Sequence, residues 1–192
     1  MTVNRAQPMR HLGRVALLLA IVGGTAVLTL PNSEAAQTCF GKAATIVDHT
    51  GTIQGTDGDD VIIGDDGFNS IFRNGGFDRI CSGGDGDWIE SQADDGHIWV
   101  KGGTGGDLIY GSDEDDRLYG GDGRDTLVGT GGNDELHGDA GDDRLQGEAG
   151  NDELNGGNDD DLLYGGAGVD SYFPGSGKDL CTEELGGLVF PC

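Results

Sequence analysis

From Gly102 onward one large side chain returns at every ninth place: Ile109, Leu118, Leu127, Leu136, Leu145, Leu154 and Leu163, then Tyr172 and Cys181. Nine consecutive nonapeptides, from GGTGGDLIY to PGSGKDLCT, carry this rhythm without an insertion. An apolar residue held in fixed register argues against a solvated linker and for an ordered element. No helix is predicted. The spacing predicts short strands joined by turns, each strand sending one side chain inward. An earlier block shares the register, with Ile62, Ile71 and Ile80 in the repeats 55–63, 64–72 and 73–81. GGDGDWIE (83–90) reads as a shortened copy with Asp87 and Ile89, and 91–101 reads as degenerate. Residues 46–54 keep Ile53 but have Gly51 where Asp belongs, and read as a cap.

Two places before each apolar position stands a carboxylate: Asp107, Asp116, Asp125, Asp134, Asp143, Asp152, Asp161, Asp170 and Asp179. The earlier block adds Asp60 and Asp78, with Asn69 between them. Gly at the first, second and fourth positions permits positive φ and close backbone approach. Four repeats depart at the second position (Ser112, Thr130, Asp139, Glu148) and two at the fourth (Glu114, Asp159).

Composition sharpens this. The 192 residues include 39 Gly and 35 Asp plus Glu against 11 Lys plus Arg, a formal charge of −24. Aromatic residues make up 6%. So acidic and lean a chain reads as disordered unless something neutralises it. A multivalent cation with a taste for hard oxygen ligands, Ca²⁺, meets that need. Nucleic acid and anionic membrane are poor partners for such a surface. Without calcium the thin Leu/Ile column is expected to leave the chain largely unfolded.

The repeats resemble the repeats-in-toxin, or haemolysin-type calcium-binding, nonapeptide G-G-x-G-x-D-x-U-x, with U a large apolar residue. The likeness covers roughly residues 46–182. It implies an all-β fold, a right-handed parallel β-roll (β-solenoid) with two repeats per coil, six residues of turn and three of strand in each repeat. Two repeats per coil sort the Asp residues onto two edges. Asp107, Asp125, Asp143, Asp161 and Asp179 fall on one, and Asp116, Asp134, Asp152 and Asp170 on the other. The resemblance further implies Ca²⁺ between stacked turns, held by the sixth-position Asp of both turns and by backbone carbonyls. Pairs such as Asp107 with Asp125 and Asp116 with Asp134 would share an ion, giving up to about seven sites in the nine-repeat block. A smaller set is expected over 55–90 through Asp60 and Asp78, where Asn69 is a weaker ligand.

Arg5, Arg10 and Arg14 precede an apolar run from Val15 to Leu30, and Ser33, Ala35 and Ala36 follow Pro31. This pattern reads as a secretory signal peptide, with an uncleaved anchor as the alternative. After cleavage no membrane span is expected. Four cysteines remain, Cys39, Cys81, Cys181 and Cys192. An even number in an exported chain implies two disulfides among three pairings, with Cys181–Cys192 a terminal clasp and Cys39–Cys81 a staple in one of them.

The expected organisation is a signal (1–36), an N-terminal cap (37–54), a first repeat block (55–90), an irregular insertion (91–101), a nine-repeat roll (102–182) and a tail (183–192). EF-hand, phosphate-loop and nucleophile-elbow patterns fail. His49, His97 and His137 are scattered. Trp88 and Trp99 read as caps of a local core. No catalytic machinery is read. The expectation is therefore a secreted calcium-ion-binding structural module. A calcium-dependent adhesion or interaction module is the alternative, with protein or glycan partner unspecified. A calcium-dependent hydrolase has too few residues outside the repeats.

Overall fold

The computed structural model of the chain describes residues 21–22, 25–26, 37–48, 51–91, 96–182 and 190–192. The expected signal (1–36) lies outside them, apart from a short antiparallel pair, Ile21–Val22 with Thr25–Ala26, in the unit Met1–Ala35. Most of the expected tail also lies outside them. Among the described residues there is no helix, and so none long and apolar enough to cross a membrane.

The second unit, Ala36–Cys192, is a parallel β-solenoid. Alternate strands go to two sheets, one of nine strands and one of eight. In the nine-stranded sheet Thr126–Gly131 lies between Leu108–Tyr110 and Arg144–Ala149; in the eight-stranded sheet Glu135–Ala140 lies between Arg117–Asp122 and Glu153–Asn158. Leu118 pairs with Leu136 and Leu127 with Leu145, a register of one coil per two repeats. The inward side chains from Ile53 to Leu163 form one continuous column, each no more than 1% exposed. Tyr172 and Cys181 close it, partly buried.

Most strands in the nine-repeat block are longer than the implied three residues. Arg117–Asp122 takes positions 7–9 of one repeat and 1–3 of the next. The glycines make this extension possible. Gly103 and Gly121 pair across coils with φ of 117° and 115°, and a Cβ on Gly121 would collide with the Gly103 carbonyl. Thr130, Asp139 and Glu148 hold the same left-handed backbone at φ of 74–87° despite their side chains, a strain on the order of 1–2 kcal/mol for each.

The second half of the segment expected to be irregular, from Ile98 onward, is a strand. Ile98–Thr104 is a strand paired on both sides, and Val100 fills the column between Ile80 and Leu118. The sequence reading missed it because Val100 stands two residues late. The pairing of Ile80 with Val100 spans 20 residues, whereas Val100 with Leu118 spans 18, so the extra pair falls between Ser91 and Gly96. Ser82–Glu90 is accordingly a full repeat, with Ser82 at the first position.

A hairpin, Thr38–Cys39 with Lys42–Ala43, is tied by the disulfide Cys39–Cys81. Its Phe40 ring lies against Trp99 and Tyr119. The cap thus reaches the outer face of the eight-stranded sheet. Trp99 sits on that face under the guanidinium groups of Arg79 and Arg117, and Trp88 is 38% exposed against Phe72. Both rings decorate the outside of the sheets rather than capping a core. Cys181 is joined to Cys192.

Candidate metal sites along two edges

Every sixth-position Asp stands where a turn enters a strand, and the coil repeat stacks these residues along each edge. Successive members are linked through the main chain. The Asp107 N–H donates to Asp125 Oδ1 at 2.7 Å, Asp125 N–H to Asp143 Oδ1 at 2.8 Å, Asp143 N–H to Asp161 Oδ1 at 2.9 Å and Asp161 N–H to Asp179 Oδ1 at 3.0 Å. On the other edge the N–H groups of Asp116, Asp134 and Asp152 donate to Asp134, Asp152 and Asp170. The rows continue into the earlier block, where Asp60 N–H donates to Asp78 and Asp87 N–H to Asp107. One oxygen of each carboxylate is therefore a fixed part of the fold. Sequence reasoning placed these residues in two rows but did not foresee this bond.

The second oxygen separates the candidates. Oδ2 of Asp87, Asp107, Asp125, Asp134, Asp143, Asp152, Asp161 and Asp170 is buried with no hydrogen-bond donor. Asp87 belongs with these, and the sequence reading left it out of the candidate ligands although GGDGDWIE marked it. Asp60 Oδ2 instead accepts from the Thr56 N–H and hydroxyl, at 2.7 and 2.9 Å, while Thr45 donates to its Oδ1. Asp116 Oδ2 accepts from the Ser112 N–H and hydroxyl, and Asp78 Oδ2 faces Arg73. Asp179, at the end of its row, is half-buried.

Burial away from water raises the carboxylate pKa values, and this is the largest influence on each. Asp134 is pushed up to about 8, and Asp107 and Asp143 to about 7. Asp125, Asp152, Asp161, Asp116 and Asp78 rise to about 6. Asp87 is raised for the same reason. The donated N–H bonds pull the other way, and neighbouring carboxylates along the row add to the rise. A buried carboxylate oxygen without a donor is costly, and several in a row call for positive charge.

The backbone leaves room for that charge. A Cβ built on Gly102 would fall onto Asp107 Oδ2 and lie 2.6 Å from the Gly120 carbonyl oxygen of the next coil. On Gly138 it would fall onto Asp143 Oδ2, 2.5 Å from the Gly156 carbonyl, and on Gly147 onto Asp152 Oδ2, 2.6 Å from the Gly165 carbonyl. Gly102, Gly129, Gly138, Gly147 and Gly156 thus each leave a cradle, closed to any side chain, between a bare carboxylate oxygen and a carbonyl of the adjoining coil. Among the described residues no three His, Cys, Asp or Glu side chains converge. A cation here must take most of its ligands from backbone carbonyls. An all-oxygen set of carboxylates and carbonyls suits Ca²⁺, which accepts 6–8 such ligands in flexible geometry. The residues present fit that ion.

Fold and site together define a calcium-binding β-solenoid of nonapeptide repeats. The four-copy model of the RTX calcium-binding nonapeptide repeat matches residues 48–80, 99–127, 119–154, 128–163, 137–172 and 146–181, more than half of the chain. The chain belongs to this family. No curated protein and no solved structure matches it.

Proposed function

We propose that this protein is an exported calcium-ordered β-roll whose sixth-position Asp residues hold Ca²⁺ between stacked turns. The observation that carries the proposal is the set of buried Oδ2 atoms without donors, those of Asp107, Asp134, Asp143, Asp152 and Asp161 facing a cradle that a side chain on the first-position glycine would fill. Asp107, Asp125, Asp143 and Asp161 would supply that oxygen on one edge, and Asp134 and Asp152 on the other; each has a described coil on both sides, whereas Asp87 has Ser82 in place of the first-position glycine. Asp170 and Asp179 would bind at the end of the stack. Asp116 would contribute to the ion it shares with Asp134. Asp60 and Asp78 would hold no ion of their own, since protein donors already serve their oxygens.

An ion in each cradle would neutralise neighbouring carboxylates and join two coils, so binding and folding become one event. Extracellular modules commonly bind calcium at about 10⁻⁴–10⁻³ M, which would make export the trigger for folding. The basic, apolar and small-residue order of residues 1–36 and the two disulfides support the extracellular assignment. An RTX β-roll is a structural calcium-binding domain, and no reaction is assigned to it. Calorimetric calcium titration of the oxidised chain, with far-UV circular dichroism alongside, tests the reading. We expect uptake of several ions per chain together with a rise in β-structure. An EDTA-treated sample that already holds its full β-structure and takes up no calcium would contradict it.

A further inference from the structure

Arg73 stands at the first position of its repeat, where nearly all turns have Gly, and it is completely buried. Its side chain begins where the other repeats keep their cradle open. Nη1 donates to the Gly76 carbonyl at 3.1 Å and lies 3.4 Å from Asp78 Oδ2. Nη2 donates to the Gly96 carbonyl at 2.7 Å, and Nε to Ser91 Oγ at 2.9 Å. Gly76 and Gly96 belong to stacked turns, since a Cβ on Gly96 would lie 2.9 Å from the Gly76 carbonyl oxygen. The guanidinium therefore gathers two turn carbonyls from adjoining coils and a sixth-position carboxylate. That is the kind of oxygen set the other cradles offer to an ion.

The next rung of the same edge is altered to match. Ile98 pairs with Asp78 in the register that Asp holds elsewhere, and it is fully buried. Its N–H still donates to Asp116 Oδ1 at 2.7 Å, but it offers no carboxylate to Asp78, whose N–H turns to the His97 carbonyl at 3.3 Å. Among the described residues, a calcium ion between these two turns would find a sixth-position carboxylate on one side only. Fixed planar donors suit Arg to such a buried place, and its charge persists at every working pH.

We propose that the Arg73 guanidinium is a resident cation that replaces calcium at the Asp78–Ile98 rung, so that these coils stay ordered without metal and offer a template on which the calcium-dependent coils build. The proposal rests on the calcium reading of the cradles above. The two are separated by an arm without calcium.

The test is hydrogen exchange of the full oxidised chain in EDTA, with calcium stoichiometry measured in parallel. In EDTA the unsubstituted chain is expected to protect Ser70–Phe72, Asp78–Gly83 and Trp88–Glu90. Arg73→Gly should speed exchange there by about a hundredfold or more, the scale of removing one partner of a buried ion pair. The double variant Arg73→Gly/Ile98→Asp should bind one more calcium ion than the unsubstituted chain and regain protection only when calcium is present. Unchanged exchange of Arg73→Gly in EDTA, or a double variant without the extra ion, would overturn the proposal. The EDTA arm judges Arg73 by itself; absence of calcium uptake by the unsubstituted chain would count against the reading of the other cradles.

Discussion

The coils over residues 55–101 and those over 102–182 share one column and the same kind of Asp–N–H bond along two edges, yet they treat the second carboxylate oxygen differently. In the first region Thr45, Thr56 and Arg73 serve Asp60 and Asp78, and the Asn69 amide donates to Asp65 and Gly67 within its own turn. In the second, Oδ2 of Asp107, Asp125, Asp134, Asp143, Asp152, Asp161 and Asp170 has no donor. The comparison separates two requirements that the repeat usually merges. One carboxylate oxygen builds the turn in both regions. The other needs a partner: Thr donors and Arg73 supply it to Asp60 and Asp78 in the first region, whereas most carboxylates of the second have none and must import a cation.

The largest effect should come from pH, because many carboxylates act together. Their pKa values in the metal-free fold lie above the ordinary 3.8, at about 6 for Asp125 and about 8 for Asp134. The protonated forms favour the fold. The stability they contribute is full below about pH 4 and is lost as pH rises through 6–8. In EDTA, acidification from pH 8 to pH 5 should therefore add β-structure over 102–182, followed by circular dichroism and site-resolved exchange. A calcium-free block equally ordered at both pH values would break the contrast.

Packing should not distinguish the regions. Leu136→Ala and Ile71→Ala each empty a fully buried place in the column. In saturating calcium each should cost about 2–5 kcal/mol in denaturant unfolding. A much smaller loss at Ile71 would show that the first region leans on other contacts.

A smaller but more pointed difference is expected from single carboxylates. Asp143→Ala removes an acceptor from the Asp125 N–H and an oxygen from a cradle. It should cost about 1–3 kcal/mol and lower the calcium stoichiometry. Asp60→Ala should bring a comparable loss of stability with unchanged stoichiometry, since its oxygens already have protein donors. Calorimetry and thermal unfolding of the two variants decide the matter.

The sequence made the column and the two rows legible because both depend on side chains in fixed register. Ile109 to Leu163 and Asp107 to Asp161 stand where counting by nine puts them. Three features lay beyond counting. The extension of strands through positions 1–3 depends on backbone φ at Gly103 and Gly121, which an identity does not state. Val100 and Ile98 were hidden by two extra residues whose place only pairing reveals. The standing of Asp60, Asp78 and Asp116 depends on neighbours, Thr56, Arg73 and Ser112, that break the consensus. A hydroxyl at position 2 or a cation at position 1 was the available sign, but Thr130, in the same repeat as the bare Asp134 oxygen, shows that a position-2 hydroxyl alone does not decide it.

Hydrogen–deuterium exchange of the oxidised chain, with and without calcium at pH 7.5, tests the central claim most directly. Strands from Arg117–Asp122 to Leu162–Ala167 should be well protected in calcium and exchange freely in EDTA, while Ser70–Phe72 and Asp78–Gly83 stay protected in both. Equal protection of the upper strands with and without the ion would contradict the account.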